Sequence, residues 1–252
     1  MSKKTRKGRK ESFHHKSGNV VHPVFDEGSA DWHPLDDKID SQRDKKFVKN
    51  ISPRSDGQRA LMEAIASHNL TLAIGPAGTG KTYLAITAAV EALQKGKVER
   101  IILSRPAMEA GESIGFLPGD MHEKMAPYLR PLYDALGDRM GGKTVRQYIE
   151  EGTIEIAPVG FMRGRTLNNS FVVIDEAQNC TYGQLKMLLS RLGWHSTMVV
   201  TGDPDQSDLL TGMSGLADVA KRFDAIENIA VVRLGQTDIV RHPLVAEMLE
   251  VL

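Results

Sequence analysis

Short apolar runs alternate along this chain with longer segments in which apolar residues recur every three or four positions. The short runs predict buried strands, and the periodic segments predict helices. The predicted strands are residues 70–74, 100–104, 153–157, 171–175, 197–202 and 229–234. Helices are predicted at 52–69, 83–95, 119–137, 182–192, 215–223 and 243–252, the third of them interrupted by Pro127 and Pro131. Strands separated by helices predict an α/β fold with a mostly parallel sheet flanked by helices on both faces.

The first 50 residues show neither the apolar runs of strands nor the periodicity of helices. Their charge also differs from that of the remainder. Residues 1–16 hold seven basic side chains and one acidic one, which leaves 25 basic and 31 acidic residues elsewhere, a net charge of −6. We expect residues 1–50 to form a basic, flexible arm and linker, followed by one domain over 51–252. A basic arm on an acidic body is typical of nucleic-acid-binding proteins, and a solvated tail that aids solubility explains the same charge.

The composition is typical of a globular protein without disulfides or membrane segments. The chain of 252 residues is 41% hydrophobic and 25% charged, which suits a single globular core. It has one cysteine, Cys180, so it forms no internal disulfide, and this fits a reducing cytoplasm. No apolar run reaches the ~20 residues that span a bilayer, and none follows the basic N-terminus. We therefore expect a cytoplasmic protein with no membrane segment and no signal peptide.

A glycine-rich stretch between the first predicted strand and the next helix matches the phosphate-loop pattern G-x-x-x-x-G-K-[ST]. Its glycines let backbone N–H groups turn toward a phosphate, and the following helix directs the positive end of its dipole at the same anion. Lys81 adds a full charge near the β- and γ-phosphates, and the Thr82 hydroxyl is a ligand for Mg²⁺. The predicted nucleotide-binding residues are Gly75, Pro76, Ala77, Gly78, Thr79, Gly80, Lys81, Thr82 and Tyr83.

Acidic and polar residues follow two later strands. Asp175 and Glu176 come after four apolar residues. We predict that Asp175 orients Mg²⁺ and that Glu176 polarises the attacking water as general base. Gln206, in the stretch TGDPDQSDL after the next strand, is predicted to contact the γ-phosphate or the attacking water. Because the carboxyl ends of parallel strands meet at one edge of a sheet, these residues are expected to share a site with the phosphate loop.

Seven segments taken together resemble the PhoH family, phosphate-starvation-inducible ATPases of bacteria and phages. They are GPAGTGKTYLA, RPAMEAGESIGFLPGDMHEKMAPYLRPLYDAL, APVGFMRGRTLNNSFVVIDEAQNCT, KMLLSRLG, TGDPDQSDL, SGLADV and DIVRHPLV. The resemblance covers residues 51–251 and is specific, because several unrelated motifs recur in order. It implies a RecA-like P-loop NTPase fold, similar to the nucleotide-binding half of superfamily 1 helicases.

The resemblance also implies roles for single residues. Gln58 would read an adenine edge, Gln206 would sense the γ-phosphate, and Arg241 would complete the site as an arginine finger. Only one RecA-like domain fits in this length, so Arg241 is expected to reach a neighbouring subunit's nucleotide in a homo-oligomer, a hexameric ring. The alternative that Arg241 reaches the nucleotide of its own chain stays open. Arg105 would belong to the loop after the second strand, which in helicase-like ATPases contacts nucleic acid or neighbouring subunits.

These expectations combine into one function. The chain is predicted to bind ATP with Mg²⁺ and to couple hydrolysis to remodelling or unwinding of RNA or single-stranded nucleic acid. One alternative is a nucleotide-gated regulatory ATPase that acts on a protein partner. Another is a small-molecule kinase, which would need an arginine-rich lid and a dedicated acceptor base. We expect no added nuclease domain, because the 50 residues before the core are too few for one.

Overall fold

A six-stranded parallel sheet forms the centre of the protein. A computed structural model describes residues 51–106, 121–210 and 212–240, with residues 244, 245 and 248, and for 121–128 it describes the backbone alone. Strands in this part of the chain are β1 (Leu70–Ile74), β2 (Arg100–Arg105), β3 (Ile154–Pro158), β4 (Ser170–Ile174), β5 (Thr197–Gly202) and β6 (Ile229–Arg233). Their order is β3-β2-β4-β5-β1-β6, and every neighbouring pair is parallel.

Helices cover both faces of this sheet. They are α1 (Asp56–Ser67), α2 (Lys81–Gln94), α3 (Met121–Met140), α4 (Gly142–Glu150), α5 (Tyr182–Leu189) and α6 (Leu216–Phe223). Helices α1 to α4 pack on one face in a core that includes Leu61, Ile86 and Leu136. Helices α5 and α6 pack on the other face around Leu185 and Leu216. The predicted α/β class, with helices on both faces, is confirmed.

Burial on both faces explains why the central strands are apolar throughout rather than alternating. All five residues of β1 and all five of β4 are buried. Strands enclosed in this way form near-continuous apolar runs, which is the signal that predicted them. Burial also raises the pKa of the Cys180 thiol to about 12, so this side chain acts as a small apolar residue in the core.

Two helices differ from the prediction, and two predicted segments lie outside the described residues. Helix α3 continues through Pro127 and Pro131, although an interior proline costs about 3 kcal/mol. Leu129, Leu132 and Leu136 recur at helical spacing and are buried, and this packing outweighs the cost of the prolines.

Helix α4 was not predicted. The basic arm, residues 1–50, and most of the predicted final helix lie outside the described residues. No helix in the described ranges is long and apolar enough to cross a bilayer.

The strand order brings three loops to one edge of the sheet. Strand β5 lies between β4 and β1, so the loops after β1, β4 and β5 begin side by side. Strand β2 lies on the other side of β4 and ends at Arg105, beside the same edge. The N–H of Asp175 donates to the carbonyl oxygen of Ser104 at 2.8 Å, which fixes the two strand ends against each other.

A single carboxylate ties the turn after β6 to the start of α1. Asp238 accepts hydrogen bonds from the N–H groups of Gly235 at 2.8 Å and Gly57 at 3.1 Å. The Gly235 N–H, the Ser55 hydroxyl and the Gly57 N–H hold the pKa of Asp238 below its ordinary value, against the opposing effect of burial. Ser55 is also the N-cap of α1 and accepts from the N–H of Gln58. One ionised side chain therefore joins two ends of the domain.

We predict that Asp238→Asn lowers the free energy of unfolding by about 1–3 kcal/mol near neutral pH, because an amide cannot accept from both N–H groups. The folded pKa lies below the ordinary value of 3.8. The stabilisation is therefore present above that value and is lost as the pH falls through the folded pKa. Urea unfolding of wild type and variant should show a gap at pH 7 that narrows by pH 3. Glu227→Gln, at an exposed carboxylate, is the control. An equal gap at both pH values would contradict the prediction.

Candidate nucleotide-binding site

The loop between β1 and α2 places three glycines in backbone conformations that other residues rarely adopt. Gly75, Gly78 and Gly80 have φ angles of 140°, 83° and 82°. Gly75 also has no room for a side chain, because a Cβ there would lie 2.2 Å from the carbonyl oxygen of Leu234. The loop leads directly into the N-terminus of α2 at Lys81. A glycine-rich turn before a helix N-terminus is the arrangement that binds a phosphate group.

Lys81 is buried inside this loop. Its ammonium group donates to the carbonyl oxygens of Gly75 at 2.6 Å and Pro76 at 2.8 Å. Burial lowers the pKa of Lys81, and nearby carboxylates, that of Asp203 foremost, offset part of this effect. An ammonium group interacts more favourably with an anion than with neutral carbonyl oxygens. Lys81 therefore favours a phosphate at the loop.

Oxygen atoms that suit Mg²⁺ converge where β4 and β5 end. The Asp175 side chain is buried, and its Oδ1 accepts from the hydroxyls of Thr82 at 2.5 Å and Thr201 at 2.8 Å. Among the described residues no group of three His, Cys, Asp or Glu could hold a metal ion. Mg²⁺ needs no such group, because it is usually bound by one or two carboxylates together with substrate phosphates and water. Carboxylate and hydroxyl oxygens at this point fit that ion.

Glu176 lies just beyond Asp175 in a left-handed backbone conformation, with φ 53° and ψ 41°. Its carboxylate accepts a hydrogen bond from the side-chain amide of Gln178. The other end of that amide, Oε1, accepts from the N–H of Asp203 at 3.0 Å. Gln178 therefore connects the predicted general base to the loop after β5. Gln178 was not among the residues predicted from the sequence, where its place two residues after Glu176 was the signal for it.

A cavity of about 510 Å³ joins these groups at the carboxyl edge of the sheet. Gln206 is exposed on its wall, and the N–H of Gln206 donates to the carbonyl oxygen of Asp203 at 3.0 Å. Asp134 and Asp138, one helical turn apart on α3, also line this cavity. The described residues on its walls also include Ala77, Gly78, Gly80, Lys81, Thr82, Tyr83, Arg105, Asp175 and Glu176. The volume lies in the range of ordinary ligand sites.

Gln58 is buried beneath the loop and is engaged at both ends of its amide. Its Nε2 donates to the carbonyl oxygen of Thr79 at 3.0 Å, and its Oε1 accepts from the N–H of Arg54 at 2.9 Å. These bonds brace the phosphate loop from below. A role for Gln58 at an adenine edge stays a prediction. Arg241 lies outside the described residues, although the N–H of Val240 donates to the carbonyl oxygen of Gly78 at 3.0 Å.

Comparison with known proteins identifies the family. The model of the family described as PhoH-like protein matches residues 50–252. This chain belongs to the PhoH family. The PhoH-like protein of Bacillus subtilis (strain 168) is 54% identical over 203 residues, which is 80% of this chain and 64% of that protein. Protein PhoH of Escherichia coli (strain K12) is 46% identical over 209 residues, 82% of this chain and 59% of that protein. The chain thus spans less than two thirds of these PhoH relatives.

Solved structures establish the fold of this PhoH chain. The large terminase of a thermophilic bacteriophage superposes with a TM-score of 0.51 at 11% identity, covering 79% of this chain and 50% of the terminase. A second crystal form of that terminase, in complex with ADP, superposes with a TM-score of 0.50 at 12% identity. At such identities the likeness shows the fold alone. The PhoH chain has the RecA-like P-loop NTPase fold that the resemblance implied.

We predict that Gln58→Glu weakens binding of ATP and GTP by the same factor, about 10-fold. The substitution removes the donor to the Thr79 carbonyl and sets a carboxylate against that oxygen, which loosens the loop for any nucleotide. Fluorescence titration with both nucleotides measures the two factors. Gln94→Glu, at the exposed end of α2, makes the same charge change away from the loop. A loss confined to ATP would contradict the bracing role and favour contact with adenine.

Proposed function

We propose that this PhoH protein binds ATP with Mg²⁺ and hydrolyses it. The observation that carries the proposal is the convergence of Lys81, Thr82, Asp175 and Glu176 on one cavity at the end of a glycine-rich loop. Phosphoryl transfer to water requires a cradle for the phosphates, an oxygen ligand for a metal and a base for the water. The four side chains supply these three parts.

Each side chain has a distinct task in the proposed reaction. Lys81 exchanges its carbonyl partners for phosphate oxygens and stabilises the charge that develops on them. Thr82 and Asp175 would hold Mg²⁺, which when bound neutralises part of the phosphate charge. Glu176 accepts the proton of the attacking water on its carboxylate, and the amide of Gln178 orients that carboxylate. Gln206, which lines the cavity wall, would contact the water or the γ-phosphate.

We further propose that hydrolysis is coupled to remodelling or unwinding of RNA or single-stranded nucleic acid, in the cytoplasm and in a homo-oligomer. The basic charge of residues 1–16 supports a nucleic-acid partner, since phosphate contacts dominate such binding. A hexameric ring in which Arg241 reaches a neighbouring nucleotide is the proposed assembly. A regulatory ATPase that acts on a protein partner is the second candidate. A small-molecule kinase is less favoured, because a carboxylate directly after Asp175 suits activation of water.

We predict that Lys81→Ala weakens ATP binding by about 10–100-fold, through loss of a charged hydrogen-bond donor to phosphate. Glu176→Gln is expected to keep ATP affinity within about twofold and to slow hydrolysis by about 10²–10⁴-fold, because an amide cannot accept the proton. Equilibrium binding and steady-state phosphate release measure the two effects separately. Glu91→Gln, at an exposed ion pair on α2, is the matched control. Full hydrolysis by Glu176→Gln would remove Glu176 from the role of base.

We predict that single-stranded RNA or DNA stimulates phosphate release at least about 10-fold, and that the stimulation falls as salt increases. The assay compares turnover with and without each nucleic acid in the full chain. Light scattering on the same samples tests the ring, and a monomer under every condition would contradict the proposed assembly. Turnover that neither nucleic acid changes would contradict the nucleic-acid partner and favour the regulatory ATPase.

A further inference from the structure

Arg105 lies at the carboxyl edge of the sheet, beside the nucleotide cavity. It is the last residue of β2, beside the end of β4. Its guanidinium approaches two carboxylates, with Nη1 3.8 Å from Asp175 Oδ2 and Nη2 3.5 Å from Glu176 Oε1. The family resemblance had assigned Arg105 only to a loop for nucleic acid or neighbouring subunits. The geometry instead connects it with the two acids that the proposed hydrolysis requires.

The ion pairs of Arg105 differ from those of a structural arginine in the same protein. Arg165 contacts Glu155 through two short hydrogen bonds of 2.5 and 2.7 Å between its two terminal nitrogens and the two carboxylate oxygens. This bidentate arrangement lowers the pKa of Glu155 and raises that of Arg165. The distances from Arg105 to its two acids are about 1 Å longer and divide one guanidinium between two carboxylates. These two contacts are therefore ion pairs rather than short bidentate hydrogen bonds.

Arg105 lines two neighbouring cavities. Arg105 and Glu176 line the nucleotide cavity, and both also line a neighbouring depression of about 530 Å³ whose walls include Asn179 and Asp208. The Arg105 side chain is one-fifth exposed. Arg105 is therefore in contact with both the nucleotide cavity and this depression.

The walls of the nucleotide cavity carry more acidic than basic side chains. Among the described residues that line it, Lys81 and Arg105 are basic, whereas five are acidic: Asp134, Asp138, Asp175, Glu176 and Asp203. A nucleoside triphosphate adds several negative charges to this surface. The terminal phosphate would lie between the loop and the acids, where the planar guanidinium of Arg105 suits two phosphate oxygens at once.

We propose that Arg105 is a γ-phosphate ligand that exchanges partners when the site fills, an inference that rests on the proposed ATP binding. In the empty site Arg105 neutralises Asp175 and Glu176. If Asp175 holds the Mg²⁺ that accompanies a nucleotide, its carboxylate is already neutralised and attracts the guanidinium less. Arg105 then turns to the γ-phosphate, which also frees the Glu176 carboxylate to accept a proton. Nucleoside diphosphates have no γ-phosphate for Arg105 to contact, so Arg105 distinguishes ATP from ADP.

Calorimetric titration of the full chain with Mg²⁺ and either ADP or a non-hydrolysable ATP analogue tests the proposal. Arg105→Ala should weaken binding of the ATP analogue by about 10–100-fold and leave ADP binding within about twofold. Arg105→Lys keeps the charge but gives one contact instead of two, so a loss of about 3–10-fold for the ATP analogue is expected. This conservative variant keeps the test available if Arg105→Ala folds poorly. Arg100→Ala, at the opposite end of the same strand, is the matched control.

A second readout concerns the empty site. Without nucleotide, Arg105→Ala should bind Mg²⁺ more tightly than wild type, because Asp175 loses a competing cation. An equal loss for both nucleotides, or no loss for either, would overturn the role of Arg105 while ATP binding by the wild type stands. A wild type that binds neither nucleotide would overturn this inference together with the proposed function.

Discussion

Backbone hydrogen bonds fix the phosphate loop to the strands on both of its sides. The N–H of Gly75 donates to the carbonyl oxygen of Gly202 at 3.1 Å, so the first residue of the phosphate loop is joined to the last residue of β5. On the other side, the N–H of Leu234 donates to the carbonyl oxygen of Ile74 at 2.8 Å. The loop is thus fixed to both neighbours of β1 before it turns. Because Lys81 and Thr82 follow directly after the loop, their positions relative to Asp175 depend on these bonds.

The polar groups of the site are satisfied by one another when no ligand is bound. Lys81 has backbone carbonyls, Asp175 has two hydroxyls, and Glu176 has the amide of Gln178. Buried polar groups without partners would destabilise the fold, so a preformed site must contain such internal bonds. Ligand binding then exchanges bonds between neutral and charged groups for stronger ones between opposite charges. Charge therefore contributes to the preference of this site for an anionic ligand.

Much of the architecture could be predicted from the sequence, because strands buried on both faces leave uninterrupted apolar runs. The bounds of β1 and β5 agree with the prediction residue for residue. Helix α3 could not be predicted as continuous, since the cost of its prolines is local and the burial that compensates it comes from distant residues. The same limit applies within the site. The pattern around Lys81 is local in sequence, whereas the contact of Arg105 with two acids depends on the pairing of β2 with β4.

The strand order also determines when the phosphate loop can form during synthesis. Strand β1 is the first strand of the described chain to leave the ribosome, yet it pairs only with β5 and β6, the last two. Its loop further depends on Leu234 and Val240, more than 150 residues later. A nascent chain that stops short of β5 therefore carries the complete phosphate-loop sequence without the contacts that shape it. Closure of these long-range contacts is slow compared with local helix formation, so the nucleotide site is among the last parts of the domain to be completed.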